Sequence, residues 1–195
     1  ASAGDAITTG SNNVAIGTNA LGTDDVGRKS VAIGNSALFS QNYATATDSH
    51  NVAIGNGAGY SVETGVGNTF IGSSAGDGTD DGNNNTAVGY VALSANCGDE
   101  NTAVGQFALS VCTGATNTAL GTDAAAALTS GSNNFFIGHD TGRTGSPGGN
   151  QTTGSNRGFL GDENITSINA QVDITAASDQ RDKTDFTALD VGLDF

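Results

Sequence analysis

The chain has 195 residues, with 20 acidic and six basic side chains, so its formal net charge at pH 7 is −14. A surface this acidic repels phosphate backbones, which argues against a nucleic-acid partner. The 30 glycines, the single proline and the lack of Met and Trp argue against an ordinary globular core, and no apolar run approaches the ~20 residues that cross a bilayer. We therefore expect no nucleic-acid binding and no membrane insertion.

A short apolar triplet followed by glycine recurs along the chain. Asn or Ser precedes each of the first eight such tetrads, and Ala follows the first seven glycines after three residues. The spacings between successive glycines are 17, 21, 17, 17, 16, 16, 17 and 23 residues, and a fixed period of this kind is typical of a solenoid. The nine corner glycines are Gly17, Gly34, Gly55, Gly72, Gly89, Gly105, Gly121, Gly138 and Gly161.

Each period predicts one coil. In Val-Ala-Ile-Gly the two outer apolar residues share one face, because side chains alternate along a strand. The Ala-Leu pair after the glycine predicts a second short strand, and the Gly/Asn/Thr/Ser linker turns the chain back. We predict an all-β fold, a parallel β-solenoid (β-roll) of about nine coils. Its core would be mostly Val, Ile, Ala and Leu, and an Asn column would share side-chain amide bonds.

Such coils are thin. One coil buries little apolar surface by itself, and stacking the coils at ~4.8 Å still leaves a narrow core. Several chains packed side by side would bury more, so we predict a homotrimer.

Two intervals are longer than the rest. Four extra residues lie around positions 41–48 and six lie around 145–150, and insertions in a solenoid form loops that project from the stack. Tyr43 lies in the first insertion and is the candidate for a receptor contact. The other aromatic residues, such as Phe39 and Tyr60, occupy repeat positions and are expected to pack between coils or chains.

The two cysteines lie at nearly the same place on adjacent coils. Cys97 is eight residues after Gly89, and Cys112 is seven residues after Gly105. Stacked coils are within the Cα range of a disulfide, so we expect two close thiols, with a Cys97–Cys112 bridge as the alternative.

No residue pattern predicts an enzyme. The acidic pairs, such as Asp24-Asp25, have the spacing of neither the EF-hand loop nor the Gly-Gly-x-Gly-x-Asp calcium repeat, so they are expected to lie in solvated turns. His50 and His139 are isolated, whereas a zinc site needs three or four convergent ligands. Ser and Thr residues are plentiful, but none has a nucleophile-elbow context. We therefore predict no catalytic residue, metal or cofactor.

The repeat ends at residue 161, and two further segments follow. Residues 162–178 form a terminal strand region, in which apolar and polar residues alternate from Ile168 to Ala176. Residues 179–195 are charged and read as a different element. The chain opens within the repeat pattern, so we interpret it as a piece of something longer.

The repeat unit resembles two families of surface proteins. It is similar to the head repeat of trimeric autotransporter adhesins, which is a left-handed parallel β-roll in a three-fold assembly. It resembles more closely the repeats of bacteriophage tail fibres, as in Asn85-Thr86-Ala87-Val88-Gly89-Tyr90-Val91-Ala92-Leu93. The resemblance covers roughly residues 12–161 and implies a trimeric fibre that is displayed on a surface.

A second resemblance lies at the end of the chain. The run Ser178-Asp179-Gln180-Arg181-Asp182-Lys183-Thr184-Asp185-Phe186 resembles the opening of the intramolecular chaperone on phage tail spikes and fibres. That family folds its trimer and then cuts itself between the Ser and the Asp, which implies a scissile bond at Ser178–Asp179. We expect no self-cleavage by residues 1–195 alone, since a whole chaperone domain of that family would extend well beyond Phe195.

Together these patterns predict a structural and adhesive segment of a trimeric viral tail fibre or spike. It would lie on a virion or an extracellular surface and present loops to a host glycan or outer-membrane component. The alternative is the head of a bacterial trimeric autotransporter adhesin. An ice-binding solenoid needs a flat array of Thr-x-Thr, whereas these strands hold isolated Thr. An enzymatic spike needs a long acidic groove motif, which is missing.

Overall fold

Nine three-residue strands form a single parallel sheet in chain order. The computed structural model describes residues 2–168, and the solenoid unit ends at Ile165. Each strand pairs in register with the next, so equivalent residues of the repeat stack in columns. The predicted all-β parallel solenoid is confirmed. The strands are β1 Val14–Ile16, β2 Val31–Ile33, β3 Val52–Ile54, β4 Thr69–Ile71, β5 Thr86–Val88, β6 Thr102–Val104, β7 Thr118–Leu120, β8 Phe135–Ile137 and β9 Gly158–Leu160.

The middle residue of each strand points into the coil, and the two outer residues point away from it. Ala32, Ala87 and Ala119 are fully buried, whereas Val14 is 42% exposed and Ile16 is 57% exposed. The outer residues do share one face, as predicted, but the prediction that strand Val and Ile fill the core is wrong. The interior of so narrow a coil takes the small residue, and the large ones remain on the outer surface.

Three coils hold Phe where the others hold Ala (Phe70, Phe136 and Phe159), and a glycine makes the room for the first two rings. Phe70 and Phe136 are fully buried. A Cβ on Gly76 would lie 2.4 Å from the ring of Phe70, and one on Gly142 would lie 2.5 Å from the ring of Phe136. In coils with a central Ala, the position of these glycines is often Leu. Ala plus Leu is therefore exchanged for Phe plus Gly, which keeps the packed volume nearly constant.

The Ala-Leu segment is a series of turns instead of the second strand that the sequence predicts. Leu93 and Leu109 adopt left-handed backbone angles, with φ of 53° and 51°, and both side chains are fully buried. Backbone hydrogen bonds still join the segment to the next coil, as from the N–H of Leu93 to the carbonyl of Ala108 and from the N–H of Phe107 to the carbonyl of Tyr90, both at 3.0 Å. The left-handed residues, each costing about 1 kcal/mol, bend the chain while keeping the leucine inside.

A further interior column follows each of the first seven corner glycines by seven or eight residues. Its members change from polar to apolar along the solenoid, and all of them are buried. In order they are Asp24, Gln41, Val62, Thr79, Cys97, Cys112 and Leu128. The cysteines are thus members of a packed core column.

The Asn residues before the strands form a buried column that ties each coil to the next. The side-chain oxygen accepts a bond from the backbone N–H at the same position of the next coil, at 2.8–3.1 Å. The amide nitrogen donates to a glycine carbonyl of that coil, as from Asn68 to Gly82 at 2.8 Å. Asn85 departs from this rule, since its amide nitrogen is buried with no partner in the described part of the chain. The predicted Asn column is confirmed.

Ser30 interrupts this column, and residues of the first insertion fill the gap. Gln41 accepts a bond from the amide of Asn51 at 3.0 Å and donates to Asp24 at 2.6 Å and to Ser30 at 2.9 Å. Asp24 is fully buried, so the expectation of a solvated turn there is wrong. The start of the insertion is core and not a projecting loop, because the missing Asn leaves polar groups that need partners.

Replacing one Asn of the column tests its contribution. Asn68→Ala leaves the buried N–H of Asn85 and the carbonyl of Gly82 unpaired, so we expect the free energy of unfolding to fall by about 2–4 kcal/mol. Asn56 is exposed, and Asn56→Ala should change it by less than about 0.5 kcal/mol. Urea unfolding of both variants measures the difference. An equal loss of unfolding free energy in both variants would show that a column Asn contributes no more to stability than a surface Asn.

Candidate functional site

The outer face of the sheet is the most extended feature of the solenoid. The first and third residues of each strand lie on this outer face, which we call the apolar face. The third residue of every strand is aliphatic. Ile71 and Leu120 are 38% and 49% exposed there. The third-position column is Ile16, Ile33, Ile54, Ile71, Val88, Val104, Leu120, Ile137 and Leu160.

The first-position column of the apolar face changes along the sheet. It starts with Val in β1–β3 and continues with Thr69, Thr86, Thr102 and Thr118. It ends with Phe135, which is 46% exposed, and Gly158. The ring of Phe135 lies against Gly158, where an added Cβ would be 2.2 Å away.

The apolar face holds no charged residue, although the chain as a whole carries 26 charged side chains (20 acidic plus six basic). Nine strands at ~4.8 Å make the face about 40 Å long, and two columns make it about 10 Å wide. That is about 400 Å², within the range of the largest patch on a typical monomer. The largest apolar patch on a protein is often functional.

A cluster of charged residues lies near the second insertion. His139, Asp140 and Asp123 bring their ligand atoms within 4.8 Å of one another. Arg143 already pairs with Asp123 at 3.0 Å and with Asp140 at 3.1 Å, and His139 lies 3.3 Å from Asp140 and 3.6 Å from Asp162. The arginine occupies the place that a cation would take. Sequence reasoning missed this cluster, although Asp123 and Asp140 both follow a corner glycine by two residues.

A pocket of about 350 Å³ lies beside this cluster and is lined in part by the loop that the second insertion forms. The loop is closed by a bond from the N–H of Gln151 to the carbonyl of Gly142 at 2.8 Å. The prediction of a loop at residues 145–150 is confirmed. The pocket is lined by Ala127, Asp140, Arg143, Thr144, Asn150 and Glu163.

Tyr43 is not the exposed receptor contact that the sequence suggests. Its side chain is only 6% exposed, and its hydroxyl donates to the carbonyl of Gly65 at 2.7 Å and accepts from Asn51 at 3.1 Å. Burial raises the pKa of Tyr43 to about 12. The tyrosine belongs to the polar network that fills the gap at Ser30, so its role is structural.

Both cysteines are free and buried. Cys97 lies 3.3 Å from the hydroxyl of Thr79, and the amide of Asn117 contacts Cys112 at 3.5 Å. Burial raises the pKa of both thiols, that of Cys112 to about 11. They are therefore core thiols that resist ionisation, and the structure holds no Cys97–Cys112 bridge.

Aromatic residues on adjacent coils contact each other, as the sequence predicts. Phe39 stacks on Tyr60 with ring centroids 5.3 Å apart, and Tyr90 meets Phe107 edge-on at 5.5 Å. Tyr60 and Tyr90 remain 42% and 51% exposed. These rings add to the packing between coils and leave part of their surface to solvent.

The remaining sequence-predicted sites have separate positions. His50 is exposed and has a left-handed φ of 51° just before β3. The Ser178–Asp179 junction and most of the alternating segment from Ile168 to Ala176 lie outside the described residues. Within residues 2–168 there is no helix with the length and apolar character that a membrane crossing requires.

No protein-family model matches the sequence, and comparisons with curated proteins and with solved structures found no significant match.

The buried Tyr43 hydroxyl predicts a stability loss in alkali. A raised pKa in the folded state means that the stabilising contribution is complete below pH 10 and is lost as the pH rises towards about 12. We expect the free energy of unfolding to fall across this range and Tyr43→Phe to make that fall shallower. Denaturant unfolding at several pH values measures the slope. An identical slope in both proteins would contradict the assignment.

Proposed function

We propose that the chain is a structural and adhesive segment of a trimeric viral tail fibre or spike. The observation that carries this proposal is the uncharged apolar face, which runs without a break along all nine strands. A monomer would leave this whole face in water, whereas copies of the same chain would cover it.

A second and a third copy are the occupants that fit the face best. Each of its two columns runs along all nine strands, and the third position is always Ile, Val or Leu. Parallel chains in register therefore place like residues together around an axis. No charge has to be desolvated on the face, which removes the main cost of burying it.

The rest of the surface suits an extended, displayed protein. The chain has a net charge of −14, and the apolar face holds no charged residue. The charge therefore stays on the surfaces that remain exposed in an assembly, where it repels other acidic assemblies. The second insertion leaves the stack as a loop and presents polar groups. The resemblance of residues 178–186 to the intramolecular chaperone of phage fibres favours a viral fibre over its runner-up, a bacterial adhesin head.

One observation favours a different use of the face. Thr69, Thr86, Thr102 and Thr118 form a regular column on the parallel sheet, beside an aliphatic column. Such a surface could order water as ice-binding solenoids do, provided that it stays uncovered. The oligomeric state decides between the two uses.

A charge on the apolar face tests the proposal. Leu120 and Val111 are both apolar and 49% and 44% exposed in one chain, but only Leu120 lies on the face. We expect the parent chain and Val111→Glu to sediment as trimers, and Leu120→Glu to sediment as smaller species, because it buries an unpaired charge. Sedimentation velocity at micromolar concentration measures this. A folded monomeric parent chain would overturn the proposal and direct attention to an ice-recrystallisation assay.

A further inference from the structure

We propose that the pocket beside the second insertion binds a neutral sugar residue through Arg143, Thr144, Asn150 and Glu163. This inference deepens the proposed attachment role, on which it rests, by naming the class of ligand and the residues that hold it.

The loop that lines one side of the pocket is preformed. Gln151 closes its base through Gly142, and the side chain of Gln151 donates to the carbonyl of Gly148 at 2.5 Å. Within the loop the hydroxyl of Ser146 donates to the carbonyl of Arg143 at 2.7 Å. The guanidinium of Arg157 donates to the side-chain oxygen of Gln151 at 2.8 Å. A loop held by its own bonds does not have to be ordered when a ligand enters, which favours binding.

The size and lining of the pocket fit a small polar ligand. Its volume of about 350 Å³ is near the lower end of ligand pockets, about 300–1,000 Å³, which suits one or two sugar rings. Five of its six lining residues are polar. Such a wall offers little to an apolar ligand and many hydrogen bonds to a hydroxyl-rich one.

Donors and acceptors are mixed around the cavity, as vicinal hydroxyl groups require. The hydroxyl of Thr144, the amide of Asn150 and the carboxylate of Glu163 make no hydrogen bond to the described part of the chain. Arg143 uses one nitrogen for its two carboxylate partners, which leaves its other N–H groups as donors. Each sugar hydroxyl can thus donate to one group and accept from another.

The charges around the pocket select against other ligands. Asp123, Asp140 and Glu163 outnumber the single cation Arg143, so a sialic acid, a phosphate or a sulfate would meet net repulsion. A metal ion would have to displace Arg143 from both of its carboxylates. A neutral hexose or N-acetylhexosamine avoids both costs.

The test uses the full 195-residue chain and a panel of methyl glycosides. These are neutral hexoses and N-acetylhexosamines, with N-acetylneuraminic acid as the anionic probe and calcium and zinc ions as the cation probes. Binding is followed by saturation-transfer NMR and titration calorimetry. We expect at least one neutral glycoside to bind with a Kd of about 1 mM, as for a ligand of this size with ordinary efficiency, and the anionic sugar not to bind.

Two matched variants locate the binding. Asn150→Ala removes an amide that lines the pocket, and Asn42→Ala removes an exposed amide from the first insertion. We expect Asn150→Ala, and more so the double variant with Thr144→Ala, to weaken neutral-sugar binding at least five-fold, and Asn42→Ala to leave it unchanged. Circular dichroism and melting temperature should be the same for all variants, because neither loop side chain is buried.

Several results would overturn the proposal. One is that no neutral sugar binds even at concentrations well above 1 mM, and another is that Asn150→Ala leaves sugar binding unchanged. Selective binding of the anionic sugar, or tight binding of a cation in place of sugar, would also contradict it. Adsorption of the fluorescently labelled chain to bacterial cells separates this failure from that of the proposed function. A chain that adsorbs to cells but binds no sugar keeps its attachment role, whereas one that binds sugar but never adsorbs loses it.

Discussion

The buried Asn column is the interaction on which the stacked coils depend. Each strand has only three residues, and outside the strands successive coils are joined by separate backbone bonds between turns. The Asn amide adds two more, one to the N–H and one to a carbonyl of the next coil. Both lie in the interior, where an unpaired polar group is expensive. A slip of one residue would break them together, so the column fixes the register that aligns the outer face.

The break at Ser30 shows how strict this requirement is. Without an Asn at that position, the column is completed by Gln41 from the first insertion and by the hydroxyl of Tyr43. The insertion is therefore partly a repair of the core, whereas the second insertion closes on itself through Gln151 and forms a pocket wall. The two extra segments thus differ, because the first directs Gln41 and Tyr43 into the core whereas the second forms a surface loop.

The sequence predicts the period, the register, the corner glycines and the Asn column, because each of these follows from the repeat. It does not reveal which face of Val-Ala-Ile is inside, since all three residues are apolar. Volume decides that question, and the pairing of Phe70 with Gly76 shows how tight the interior is. The Leu positions read as strand because left-handed angles at leucine are rare. Tyr43 and the pocket lie in insertions that have no period, so their places could not be derived, whereas the meeting of Asp123 and Asp140 could have been.

Amide hydrogen exchange along the Asn column tests this account most directly. The backbone N–H groups of Asn68, Asn85, Asn101 and Asn117 each donate to an Asn side chain of the preceding coil. If the column holds the coils together, these four amides exchange only through global unfolding, at the rates of the slowest strand amides. Exchange as fast as that of the loop amides at residues 144–150 would contradict the account, because the coils would then separate without breaking the column.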